Sequence, residues 1–150
     1  MENTFAKVKP IPAGFHTITP FLVVDNASGF IKFLKKAFHA QLNYLMEADD
    51  GLIRHAELKI GDSILMVSSA TEIYKPMPGM FNLYVEDCDQ VYEQAKKAGG
   101  ESIAEPANQF YGDRSAGIKD SWGNQWWIAT HVEDVSNEEI KRREAELRHS

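Results

Sequence analysis

Apolar and β-branched residues gather in short runs that end in acids, and each run leads into a helical pattern. Ile18–Asp25 and Met80–Asp87 read as strands. After the first come Phe30, Ile31, Phe33, Leu34, Ala37 and Phe38 at helical spacing; after the second come Val91, Tyr92, Ala95 and Ala98. Asn26 or Ser28 could cap the first helix and Asp87 or Asp89 the second, which Gly99-Gly100 ends. Shorter strands are expected at about 42–47, 52–60 and 63–67, and again at about 101–107, 114–119 and 125–131. Turn chemistry separates them: Asp49-Asp50-Gly51 and Ile60-Gly61-Asp62, then Tyr111-Gly112-Asp113 and Trp122-Gly123-Asn124.

The pattern is therefore βαβββ, twice, an α+β chain. The copies align at an offset of sixty-one residues with no gap: Leu22-Val23-Val24-Asp25 with Leu83-Tyr84-Val85-Glu86, Lys35-Lys36-Ala37 with Lys96-Lys97-Ala98, Gly51 with Gly112, and Met66-Val67 with Trp127-Ile128. Repeat one covers about 16–67, a Pro- and Gly-bearing linker 68–79, and repeat two about 80–131, all within one domain spanning 1–150. Past His131 the character changes. Ser136-Asn137-Glu138-Glu139 forms a capping box before a charged terminal helix at about 137–148, whose only large apolar residues are Ile140 and Leu147. That helix is expected on the surface or across a dimer partner.

Composition narrows the function classes. The 150 residues are 43% hydrophobic, enough for one sizeable core. No apolar run approaches the roughly 20 residues of a membrane helix, and the amino terminus lacks the apolar stretch of a signal peptide, so the expected location is cytoplasmic. With 22 acidic against 16 basic residues the chain repels phosphate backbones, and nucleic acid is not an expected partner. The single cysteine, Cys88, excludes an internal disulfide and a Cys-based zinc site. A helix start would lower its thiol pKa, but Glu86, Asp87 and Asp89 oppose that, and a structural cysteine is expected.

Tandem βαβββ units of this size, together with Thr19–Asp25 (TPFLVVD), Arg54–Asp62 (RHAELKIGD), Leu83–Asp87 (LYVED), Gln109–Arg114 (QFYGDR) and Asp120–His131 (DSWGNQWWIATH), resemble the vicinal oxygen chelate superfamily. The resemblance is to its glyoxalase/bleomycin-resistance protein/dioxygenase branch and covers roughly residues 8–140. It implies a cupped mixed sheet to which metal-dependent members contribute one ligand from the first and one from the last strand of each repeat. Those positions correspond here to Thr19, Met66, Met80 and Trp127. None is an imidazole or carboxylate, so no metal and no cofactor are expected: a threonine, two thioethers and an indole bring no charge to offset dehydration of a divalent ion. A slip of one residue would substitute Leu65 and Trp126, which does not restore donors.

Other residues carry candidate chemistry. His55 and Glu57 share one strand face and are either a proton shuttle or a hydrogen-bonded structural pair. His16 with His55 and Glu57 is the only displaced metal set to consider. Arg114 could grip an anion and Asp113 orient it or act as a base, the bland alternative being a surface pair between the two. Tyr111 flanks them, and Gly112 reads as a backbone requirement. If Trp127 points inward, Trp126 points to the opposite face.

Three functions stay open. The first is a metal-independent protein that binds a small, partly hydrophobic molecule in a pocket of Thr19, Met66, Met80, Asn82 and Trp127, with Tyr111 and Arg114 nearby, as a homodimer. The second is a lyase or dioxygenase-type enzyme with a relocated metal site, or a metal-free acid/base catalyst using His55, Glu57 or Asp113. The third is a structural or regulatory dimer whose cup Trp127 closes.

Overall fold

A computed structural model describes residues 7–150. The element order is β1 (Phe21–Val24), α1 (Ala27–Phe38), β2 (Gln41–Glu47), β3 (Ile53–Ile60), β4 (Ser63–Ser69), β5 (Met80–Tyr84), α2 (Cys88–Lys97), β6 (Glu101–Asn108), β7 (Asp113–Lys119), β8 (Gln125–His131) and α3 (Asn137–Arg148). This is the α+β tandem βαβββ arrangement with a terminal helix. Each repeat builds its own four-stranded mixed sheet, in orders β1-β4-β3-β2 and β5-β8-β7-β6. The chain divides into two compact units: residues up to Ile31 with His39–Met77, and Lys32–Phe38 with Pro78–Ser150.

Local chemistry starts and stops the helices. Asn26, at φ 51°, accepts the Gly29 N–H through its side chain at 3.2 Å at the head of α1. Asp87 caps α2 by accepting from Gln90 N–H, and Gly99 ends it at φ 114° with the Gly99 and Gly100 N–H groups bonded back to Lys96 and Ala95. Ser136 caps α3. No residue of α3 is buried; Arg143 ties the helix down by donating to the Phe110 carbonyl and to Glu133, on the strand-to-helix connection.

Alternation gives each sheet one buried and one open face. In the first unit Leu22, Val24, Ala56, Leu58, Leu65 and Val67 are buried, while Phe21, Val23, His55, Glu57, Met66 and Ser68 occupy the other face. In the second, Ala116, Ile118, Trp126 and Ile128 are buried, and Met80, Asn82, Tyr84, Trp127 and His131 lie on the open side. The Trp126 indole N–H donates to Asp120 at 2.8 Å; that carboxylate also takes both the backbone N–H and the side-chain amide of Asn124, so the buried polar groups at the two ends of the turn are satisfied. Phe38 and Phe81 stack against the same indole at 4.9 and 4.7 Å.

The duplication is visible in strand register, and it is not free of gaps. Parallel pairing aligns Phe21 with Met66 and Asn82 with Trp127, keeping sixty-one. The third strands slip by one: Glu57 lies opposite Met66, but Gly117, sixty residues later, lies opposite Trp127. The slip begins at a bulge. Met46 pairs with His55 and Glu47 with Ile53, leaving Arg54 as an extra residue, whereas Ala107-Asn108 meets Ser115-Arg114 without one. The β7–β8 turn then restores the offset, closing on Lys119 and Gln125 where the first repeat closes on Ile60 and Ser63.

Candidate functional site

The first sheet carries the larger cavity. Phe21 and Val23 of β1, Ile53 and Arg54 of β3, and Ser68 and Ser69 of β4 bound a space of about 680 Å³, completed by Ala48, Asp50, Leu52, Thr71 and Tyr74 from the adjoining turns. Its walls are mainly apolar. Three of its polar groups already hold backbone: Ser69 Oγ accepts the Ile53 N–H, Thr71 Oγ1 the Tyr74 N–H, and an Asp50 carboxylate oxygen the Leu52 N–H, all at 3.0 Å.

Beside the cavity, His55 Nε2 and Glu57 Oε1 lie 3.2 Å apart, each side chain a quarter exposed. The imidazole is flanked by the Phe21 and Tyr44 rings at 5.8 and 6.1 Å. The expected pairing on one strand face is thus present, and it is a hydrogen-bonded pair. Met66 faces Glu57 across the β3–β4 ladder. Thr19 precedes β1, and His16 lies further back in the amino-terminal arm.

The second sheet gathers Met80, Asn82 and Trp127, with Phe81, around a shallow open recess of about 420 Å³. The Trp127 ring lies over Gly117, where a Cβ would come within 2.9 Å of it. Its indole N–H donates to Gln125 at 3.3 Å. Trp126, by contrast, is buried on the other face.

Farther along this open face lies a network that the sequence did not reveal. Asp113, only 6% exposed, accepts the Tyr84 phenol O–H at 2.8 Å and His131 Nδ1–H at 2.8 Å, while His131 Nε2 meets Asp134 at 2.7 Å. With a carboxylate at each ring nitrogen, the imidazolium form donates to both. The hydrogen bonds to Asp113 and then Asp134 raise the His131 pKa above its ordinary value, and the same Asp113 raises that of Tyr84.

Arg114 does not join this face. It points toward α2, forming a bidentate pair with Asp89 at 2.6 and 2.9 Å and a further bond to Asn108. Of the two alternatives, anion grip or a surface pair of Asp113 with Arg114, the pair does not form: the two residues make separate attachments, because neighbouring strand residues project to opposite faces. Tyr111 sits in the preceding turn against Phe110, ring centroids 5.3 Å apart. Gly112 is a backbone requirement: φ is 102°, its carbonyl accepts the Val132 and Glu133 N–H groups, and a Cβ would collide with the Glu133 carbonyl oxygen. Cys88 donates its thiol to the Ile128 carbonyl, and burial pushes its pKa up, which disfavours the nucleophilic thiolate.

A family model, the glyoxalase/bleomycin resistance protein/dioxygenase superfamily, matches residues 14–128. The chain belongs to that superfamily. An uncharacterized protein of Mycobacterium bovis, Mb0911c, is 29% identical over 135 residues, covering 83% of this chain and 89% of its own. Among solved structures, TioX from Micromonospora sp. ML1 aligns with a TM-score of 0.68 at 23% identity over 77% of this chain and 98% of that one. A glyoxalase/bleomycin resistance protein/dioxygenase family enzyme from Burkholderia phytofirmans PsJN aligns with a TM-score of 0.63 at 17% identity, covering 75% and 95%. At these identities the structural likeness speaks for the fold alone.

Membership in this superfamily raises a resident metal. The four positions implied by the resemblance hold a hydroxyl, two thioethers and an indole, a set that does not fit a divalent ion. Among the described residues no group of three or more His, Cys, Asp and Glu side chains is placed to hold one. Nor is any helix among them long and apolar enough to cross a membrane.

Proposed function

We propose that this chain is a metal-independent small-molecule binding protein of the glyoxalase/bleomycin resistance superfamily, whose ligand is partly hydrophobic. The observation that carries this reading is the apolar cavity of about 680 Å³ on the open face of the first sheet, within the size range of small-molecule sites. The recess of Met80, Asn82 and Trp127 is a second, shallower apolar surface on which such a ligand can rest. Thr19, Met66, Tyr111 and Arg114 belong to the wider candidate set; Arg114, already paired with Asp89, contributes through α2 and not through ligand contact. The assembly is a homodimer under this reading, since the open faces leave Phe21, Tyr44, Met80 and Tyr84 as exposed apolar area.

Metal analysis of protein purified without chelators tests the first claim. The expected content is far below one ion per chain; near-stoichiometric zinc, nickel, iron or manganese would sink it. Sedimentation velocity should give twice the 16.9 kDa chain mass, and a monomer at micromolar concentration would remove the dimer.

A second reading is supported by the placement of Asp113 between Tyr84 and His131 and of Glu57 beside His55: a metal-free acid/base catalyst of lyase type. It requires turnover of a proton-transfer substrate such as a hemithioacetal, lost in Asp113→Asn or Glu57→Gln with the far-ultraviolet spectrum unchanged. Absence of turnover in the wild type removes it.

A further inference from the structure

We propose that Arg54 is the anion anchor of the first-sheet cavity, so that the ligand is a small molecule with an apolar body and one anionic group, a carboxylate, sulfonate or phosphate. This rests on the reading of that cavity as the binding site, and it adds the ligand's charge and the residue that recognises it.

Three observations converge on it. Arg54 is the extra residue of the β3 bulge, the one position in that strand without a ladder partner or a counterpart in repeat two. A bulge re-aims the side chain it carries, and Arg54 is among the residues lining the cavity. The guanidinium is also uncommitted: among the described residues no ion pair includes Arg54, although the chain has 22 acidic residues to offer. Arg114, Arg142, Arg143 and Arg148 are all paired.

The third observation is the balance of donors and acceptors around the space. Ser69 and Thr71 accept backbone N–H groups through their oxygens, which leaves each hydroxyl proton available to donate, and Ser68 adds another hydroxyl. The single carboxylate on the wall, Asp50, has its side chain turned to the Leu52 N–H. A cavity with apolar sides, the hydroxyls of Ser68, Ser69, Thr71 and Tyr74, and one unpaired guanidinium offers most to a ligand rich in acceptors at one end. Charge-assisted bonds from a planar guanidinium to an oxyanion are the strongest available here.

Two dyes of similar aromatic body separate the anchor from the cavity: anilinonaphthalene sulfonate, an anion, and N-phenylnaphthylamine, which is neutral. Both are titrated by fluorescence against wild type, Arg54→Gln, Arg54→Lys and Ser68→Phe, with circular dichroism confirming that each variant is folded. Arg54→Gln should weaken the sulfonate by about tenfold and leave the neutral dye unchanged, with Arg54→Lys intermediate; Ser68→Phe, which fills the space, should abolish both. Equal weakening of the two dyes by Arg54→Gln, or no weakening of the sulfonate, overturns the anchor and leaves the cavity reading standing. Failure of the wild type to bind either dye, or binding of both undiminished in Ser68→Phe, overturns the cavity reading and the anchor with it.

Discussion

The same patch of sheet is a cavity in repeat one and a hydrogen-bonded polar network in repeat two. Val23 pairs with Ser68 in the first sheet as Tyr84 pairs with Ala129 in the second. Leu52 and Asp113 hold the same place in their turns, their carbonyls accepting from Ala48 and Gln109. Replacing Val with Tyr and Leu with Asp therefore converts an apolar space into a phenol hydrogen-bonded to a buried carboxylate, with His131 completing it. A duplicated backbone does not duplicate chemistry; two in-register side chains decide whether the patch is an apolar space or a hydrogen-bonded network.

The largest expected effect separates the β3–β4 and β7–β8 turns. Asp120→Ala strips acceptors from the buried Asn124 and Trp126, and should cost about 3–4 kcal/mol by urea denaturation. Asp62→Ala, which loses only an exposed bond to Ser63, should stay within about 0.5 kcal/mol. Equal losses would mean that the buried turn of repeat two has no special weight.

The next effect compares equivalent glycines. Gly51 and Gly112 both have positive φ, 84° and 102°, but a Cβ on Gly51 meets nothing within 4 Å while one on Gly112 strikes the Glu133 carbonyl. Gly51→Ala should cost about 1 kcal/mol, from backbone conformation alone, and Gly112→Ala about 3 kcal/mol because the chain around Glu133 must also move. Similar thermal shifts for the two would contradict that difference.

Transplanting the repeat-two residue sharpens the comparison further. Val23→Tyr should fill the first cavity and reduce N-phenylnaphthylamine affinity at least about tenfold, roughly 1.4 kcal/mol, with the fold retained. Unchanged affinity would show that the dye, and the site, lie elsewhere.

The smallest effect is pH dependence peculiar to repeat two. His131 has a folded pKa raised above 6.5 by Asp113 and Asp134, so its contribution to stability is complete below the unfolded value and is lost as pH rises through the raised folded one. Asp134→Asn and His131→Gln should flatten the decline in melting temperature that begins as pH rises past about 6.5. A slope identical to wild type in both would remove His131 as its source. At the acid end, Arg142 and then Arg143, all within α3, hold the Glu139 carboxyl at about 2, so these intrahelical pairs contribute fully above the usual glutamate range and are lost only as pH falls toward that value; Arg143 likewise lowers the Glu133 carboxyl through which it ties the helix down.

Much of the architecture is local and was therefore legible. Acid-terminated β-branched runs gave the strands, helical spacing gave α1 and α2, and Asp87, Gly99 and Ser136 marked helix ends that the structure uses. Alternation placed Trp126 and Trp127 on opposite faces without saying which was buried; in the fold Trp126 is buried and Trp127 lies on the open face. The candidate site was legible only in fragments. His55 and Glu57, two residues apart on one strand, are partners because spacing alone brings them together. Asp113, Tyr84 and His131 come from three strands, and no interval along the chain announces their meeting.

What the sequence by itself determined is the kind and order of elements, their twofold repetition and the absence of metal donors at the positions implied by the resemblance, all of which follow from residue type and short-range period. Tertiary structure decided which faces and partners those residues acquire. One bulged residue at Arg54 shifts the third strand by one, and because side chains alternate sides along a strand, such a shift changes which residue faces Met66 or the cavity. Period is set within a few residues of chain, but register is set across the ladder.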